Sequence, residues 1–169
     1  MSKALILVVV FFFIFRIVCA QKGDISISVG PLVAFPEAGS GYTVLKTGIG
    51  LEGTGQYNFT DQSSILLQIQ LTHITARYNN DNGANASIKG GYRYRLTQSG
   101  IYANILTGVE QDEDAVFDIA GALGAGKRFT IKNGYWIDAG IDYVLANISR
   151  VNLKAVFSIL RRPKKNYIE

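Results

Sequence analysis

The chain has 169 residues, a formal net charge of +4, 18 glycines and one cysteine, and 48% of its residues are hydrophobic. That length suits a single domain, and a lone cysteine excludes an internal disulfide framework. The positive charge sits near the ends, so residues 21–160 carry eleven Lys/Arg against twelve Asp/Glu, which excludes the basic face of a nucleic-acid-binding domain.

Residues 1–20 read as a signal peptide. Lys3 gives a positive start, Ala4 to Phe15 is an unbroken apolar run, and Val18-Cys19-Ala20 offers a small-residue cleavage site. Arg16 ends the apolar run short of the roughly 20 residues a spanning helix needs. Val18 fits poorly before a lipid-modified cysteine, so cleavage after Ala20 is expected and removes Cys19. The body at 21–161 then precedes a short basic tail at 162–169.

After Ala20 the hydrophobic period is two, the mark of strands with one apolar face. Ile25, Ile27, Val29 and Val33 alternate with Ser26, Ser28 and Gly30, and Ile49, Leu51, Tyr57 and Phe59 with Glu52, Thr54, Gln56 and Asn58. Ile65, Leu67, Ile69 and Leu71 alternate with Gln68, Gln70 and Thr72, then Ile88, Tyr92, Tyr94 and Leu96 with Lys89, Arg93 and Arg95. Ile101, Ala103, Ile105 and Val109 oppose Tyr102 and Asn104, and Phe117, Ile119, Leu123 and Phe129 oppose Asp118 and small residues. Tyr135, Ile137, Ile141, Tyr143 and Leu145 oppose Asp138 and Asp142. Val151, Leu153, Ala155, Phe157 and Ile159 oppose Asn152, Lys154 and Ser158. Eight strands of about ten residues each are long enough to cross a bilayer when tilted.

The connections alternate in character. Thr60–Ser63, Thr97–Gly100 and Lys132–Gly134 are tight and rich in turn residues. The connections at 36–47 and 79–86 and the acidic stretch at 110–115 are longer, while Ala146–Arg150 is short. Short turns on one side and longer loops on the other place both termini on the short-turn, periplasmic side of an outer-membrane barrel.

Which face meets lipid decides between two barrels. A soluble barrel is apolar inside and charged outside; a membrane barrel is the reverse. The polar face carries Glu52, Asp118, Asp138 and Asp142 with Lys89, Arg93, Arg95 and Lys154, a balanced set able to pair across a narrow lumen. Small residues on that face suit a crowded interior. Tyr57, Phe59, Tyr94, Phe129, Tyr135 and Trp136 adjoin the short turns as an interfacial girdle would. The expected fold is all-β: an eight-stranded antiparallel up-and-down transmembrane β-barrel.

The signal peptide, the eight alternating segments, Gly91-Tyr-Arg-Tyr-Arg-Leu96 and Gly55-Gln-Tyr-Asn-Phe-Thr-Asp61 together resemble the small outer-membrane β-barrel proteins of Gram-negative bacteria, the OmpA/OmpX-like group. The resemblance covers residues 22–161. It implies outer-membrane lipids, lipopolysaccharide and the barrel-assembly machinery as partners. That family usually ends its last strand on an aromatic residue, whereas here Phe157 is followed by Ser158 to Leu160 and the basic tail.

Other motifs read as structure. Gly121–Lys127 approximates a phosphate loop, but Arg128 stands where Ser or Thr should follow, and no helix pattern comes after. Gly48-Ile-Gly-Leu-Glu-Gly53 fits the dinucleotide pattern within an alternating strand, where glycine serves crowding or curvature. Outer-membrane lipid A deacylases place a His-x-Ser pair on a lipid-facing strand. His73 precedes Thr75 instead, with no acidic partner on that face, so it reads as interfacial. A single histidine, with no cysteine after residue 20, falls short of the ligand set of a structural zinc site. Asn58, Asn85 and Asn147 head short glycosylation sequons, relevant only in a eukaryotic secretory pathway. The expected protein is a non-enzymatic monomer with a side-chain-filled lumen, no cofactor and no metal. The alternatives are a soluble ligand-binding barrel and a lipid-modifying barrel enzyme using His73.

Overall fold

The computed structural model describes residues 24–37, 47–75, 82–96, 99–111, 116–131, 135–146 and 149–162. The expected signal peptide, the chain beyond Arg162, Asp112 to Asp114, Lys132 to Gly134, and most of the 36–47 connection lie outside them.

Eight strands run in order: β1 (Asp24–Pro36), β2 (Gly48–Asn58), β3 (Ser63–Thr75), β4 (Asn82–Arg95), β5 (Ile101–Gln111), β6 (Phe117–Thr130), β7 (Trp136–Leu145) and β8 (Arg150–Arg162). Each pairs antiparallel with its sequence neighbours, and β8 closes onto β1 with one register shift beside Ile27 and Ser28. Closure leaves no free sheet edge.

Burial is inverted relative to a soluble barrel. Along β3, Ile65, Leu67, Ile69 and Leu71 are 44%, 53%, 48% and 57% exposed, while Gln68 and Gln70 are each 1% exposed. The same alternation runs through every strand: isoleucines, leucines, valines and aromatics outside, and Ser, Thr, Gln, Asn and charged groups inside. Water around this exterior would leave a continuous apolar belt unburied, so the soluble alternative does not fit.

Several strands extend further than the turn chemistry suggested. Pro36, read as the start of a loop, ends β1, and Asn82, Gly83 and Ala84 open β4. Glu110, read as loop, lies within β5 pointing inward, and Arg150 is the first residue of β8. β8 itself runs past Phe157 to Arg162. In each case pairing with the adjacent strand continues the ladder beyond the polar residues that looked like a break.

One small apolar cluster runs along the inner wall from β3 to β7. Leu66, Leu106, Ala122 and Val144 are buried together, with Ala146 packed against them. Gly91 lies between Leu66 and Leu106 in the register. A Cβ there would strike the Ile105 carbonyl oxygen and sit 2.8 Å from Leu106 Cα, so the backbones approach too closely for any side chain. The short-turn end is also tied together. Thr60 Oγ1 accepts from the amides of Gln62 (3.2 Å) and Ser63 (2.9 Å). Carbonyls of Gln62 and Gly100 accept from the backbone amides of Arg95 (2.7 Å) and Arg128 (3.0 Å) on neighbouring strands.

Candidate functional site: a charged lumen

The inward phase of the strands places polar side chains at every level of the lumen, in three groups. Nearest the short turns, Asp138 on β7 receives Arg93 Nη1 at 2.7 Å and Arg128 Nε and Nη2 at 2.8 and 2.9 Å. Gln56 Oε1 accepts from the same two arginines at 3.0 and 2.8 Å. Each guanidinium also covers an aromatic face: Arg93 lies 3.9 Å from the Tyr102 ring centroid and Arg128 3.7 Å from that of Trp136.

The middle group centres on Lys154 of β8. Its ammonium donates to Glu52 of β2 at 3.0 Å and to Asp142 of β7. Glu52 also accepts from Gln70 (2.9 Å) and Thr54 (2.9 Å). Lys89 donates to Gln70 (2.9 Å) and Ser87 (2.6 Å), joining β4 to the same web. Charges taken out of water are tolerable only when matched and hydrogen-bonded in this way.

At the loop side, Arg150 and Glu110 form a two-point pair, with both contacts at 2.6 Å, and Asn85 reaches Glu110 at 3.4 Å.

Of the eight residues the sequence pointed to, Glu52, Lys89, Arg93, Asp138, Asp142 and Lys154 are buried in these groups. Arg95 and Asp118 are half-buried, and neither enters an ion pair among the described residues. Sequence reasoning missed Arg128, Glu110 and Arg150. Phase was the available signal: Glu110 follows Leu106 and Gly108 at steps of two, Arg150 precedes Asn152 by two, and Arg128 precedes Thr130 by two.

Trp136 corrects the girdle. It is 5% exposed and points into the lumen beneath Arg128, because its phase is that of Asp138 rather than of Tyr135 and Ile137. The outer girdle at the short-turn end comprises Tyr57, Phe59, Tyr92, Tyr94, Phe129 and Tyr135. Tyr92 shares a 2.7 Å hydrogen bond with Ser63, and Tyr94 donates to Gln62 at 3.2 Å. Lys127, on the outer face near that end, has its ammonium 5.3 Å from the Phe129 ring, where its stem suits an apolar surface and its head the interface. His73 is exposed on the outer face opposite Ile49 and Ala84, with no carboxylate partner among the described residues.

No family model matches the chain, and no curated protein aligns with it. Solved structures do share the fold. Ail, the attachment invasion locus protein of Yersinia pestis, superposes with a TM-score of 0.59 at 19% identity, covering 83% of this chain and 99% of Ail. Neisserial surface protein A gives 0.58 at 15% identity, covering 82% and 96%. A second Ail structure, in complex with the heparin analogue sucrose octasulfate, gives 0.56 at 20% identity, covering 81% and 99%. The chain has the closed eight-stranded fold of the small outer-membrane barrels, and its apolar exterior suits that location.

Proposed function

We propose that this chain is a non-enzymatic outer-membrane protein whose barrel anchors surface-exposed segments and does not conduct solutes. The observation that carries the reading is the inverted burial: a continuous apolar exterior around a lumen filled by ion-paired side chains. An eight-stranded barrel has an interior just wide enough for side chains, and three layers of ion pairs occupy it here. Binding then belongs to the connections opposite the short turns, after β1, β3 and β5. Outer-membrane lipids and lipopolysaccharide contact the belt and its girdles, and the barrel-assembly machinery inserts the chain after signal cleavage at Ala20. The sulfated ligand of Ail does not transfer simply, because the connection after β5 reads Asp112-Glu113-Asp114 and would repel a polyanion.

Cell fractionation with unboiled and boiled samples on a denaturing gel tests the reading. Recovery in the outer membrane with a heat-dependent mobility shift is expected. Recovery in the soluble periplasm without a shift contradicts it.

A further inference from the structure

The short-turn mouth of the barrel holds a polar cavity of about 380 Å³, within the size range of small-ligand pockets. Arg95, Arg128, Ser26 and Trp136 line it, together with Asp24 and Asp61. Its inner wall belongs to the Asp138 group. That single carboxylate serves both Arg93 and Arg128, so the group retains an excess positive charge. Arg95 adds a second cation at the mouth and makes no ion pair among the described residues. Ser26 Oγ is buried, on a residue 2% exposed, and has no hydrogen-bond partner among the described residues. A buried hydroxyl without a partner is costly unless something supplies one. Two guanidinium groups therefore line one cavity, with the unpartnered Ser26 hydroxyl buried in its wall. The carboxylates of Asp24 and Asp61 on the same wall disfavour a highly charged polyanion.

We propose that the mouth binds a small oxyanion of low charge, a carboxylate or phosphate group of a solute, between Arg95 and Arg128 with Ser26 as a third donor. Guanidinium groups suit such planar or tetrahedral oxyanions through paired N–H donors. The proposal rests on the membrane reading only for the compartment that supplies the solute, the periplasm.

Trp136 is the only tryptophan in the chain and stacks against Arg128, so its fluorescence reports on the cavity. The folded chain in detergent micelles is titrated with sodium acetate and with inorganic phosphate, at an ionic strength held constant with sodium chloride. A saturable emission change is expected with at least one oxyanion and not with chloride. Arg95→Gln is expected to weaken it by about tenfold or more, and Ser26→Ala by a few-fold. No saturable change with either oxyanion, or an unchanged titration in Arg95→Gln that keeps its heat-dependent gel shift, overturns the proposal. If Arg95→Gln loses that shift, an unchanged titration in folded Ser26→Ala overturns it instead. Because the readout needs only folded protein, its failure is distinct from a failure of the fractionation test.

Discussion

Arg150 and Glu110 meet at the loop-side end of the lumen through two parallel contacts of 2.6 Å, linking β8 to β5 across the barrel. Both are nearly inaccessible, at 1% and 6% exposure, so removing Glu110 takes the two-point carboxylate contact away from a buried guanidinium. Glu110→Ala should cost about 3–5 kcal/mol, while the double change Arg150→Met with Glu110→Leu should recover most of that loss. Urea unfolding of the refolded barrel, followed by Trp136 emission, measures both.

The middle layer makes a parallel case with a different topology. Lys154 is the cation shared by Glu52 and Asp142, so Lys154→Met leaves two carboxylates facing each other without it. That single change should destabilise more than Lys89→Met, since the hydrogen bonds of Lys89 among the described residues go to the neutral side chains of Gln70 and Ser87. The order of unfolding midpoints checks this, and a reversed order counts against the assigned network.

Two glycines separate crowding from chain flexibility. At Gly91 a Cβ would collide with the backbone of Ile105 and Leu106, whereas at Gly53 nothing lies within 4 Å. Gly91→Ala should prevent or strongly impair barrel formation, and Gly53→Ala should be tolerated. The fraction of heat-modifiable protein on an unboiled gel distinguishes them.

The lumen layers also predict closure. Planar bilayers containing the folded protein should show no steady conductance of the size of an open pore, and liposomes should not swell in small sugars. A stable open-channel current would mean that the ion-pair layers do not fill the lumen.

Much of this was legible in sequence because lipid imposes a period of two on every strand. Ile65, Leu67, Ile69 and Leu71 had to face the belt once Gln68 and Gln70 faced inward. The misses share one cause. Glu110, Arg128 and Arg150 lie beside turn-rich stretches, where a charge reads as solvated, yet the strands continue and the inward phase captures each of them. Trp136 misled for the opposite reason: an aromatic at a strand end reads as a girdle residue, while phase directs it beneath Arg128. The orphan hydroxyl of Ser26 depends on packing around the closed barrel and has no local sequence signal.

The orientation of adjacent residues on β3 tests the central claim most directly. The chain from residue 21 onward has no cysteine, so Gln68→Cys and Ile69→Cys can each carry a nitroxide label. In lipid bilayers, the label at Ile69 should be relaxed by membrane-dissolved oxygen and shielded from a water-soluble nickel complex, while that at Gln68 should be immobilised and reached by little of either. A water-accessible label at Gln68 together with a label at Ile69 shielded from oxygen would contradict the account, since the charged face would then be the outside.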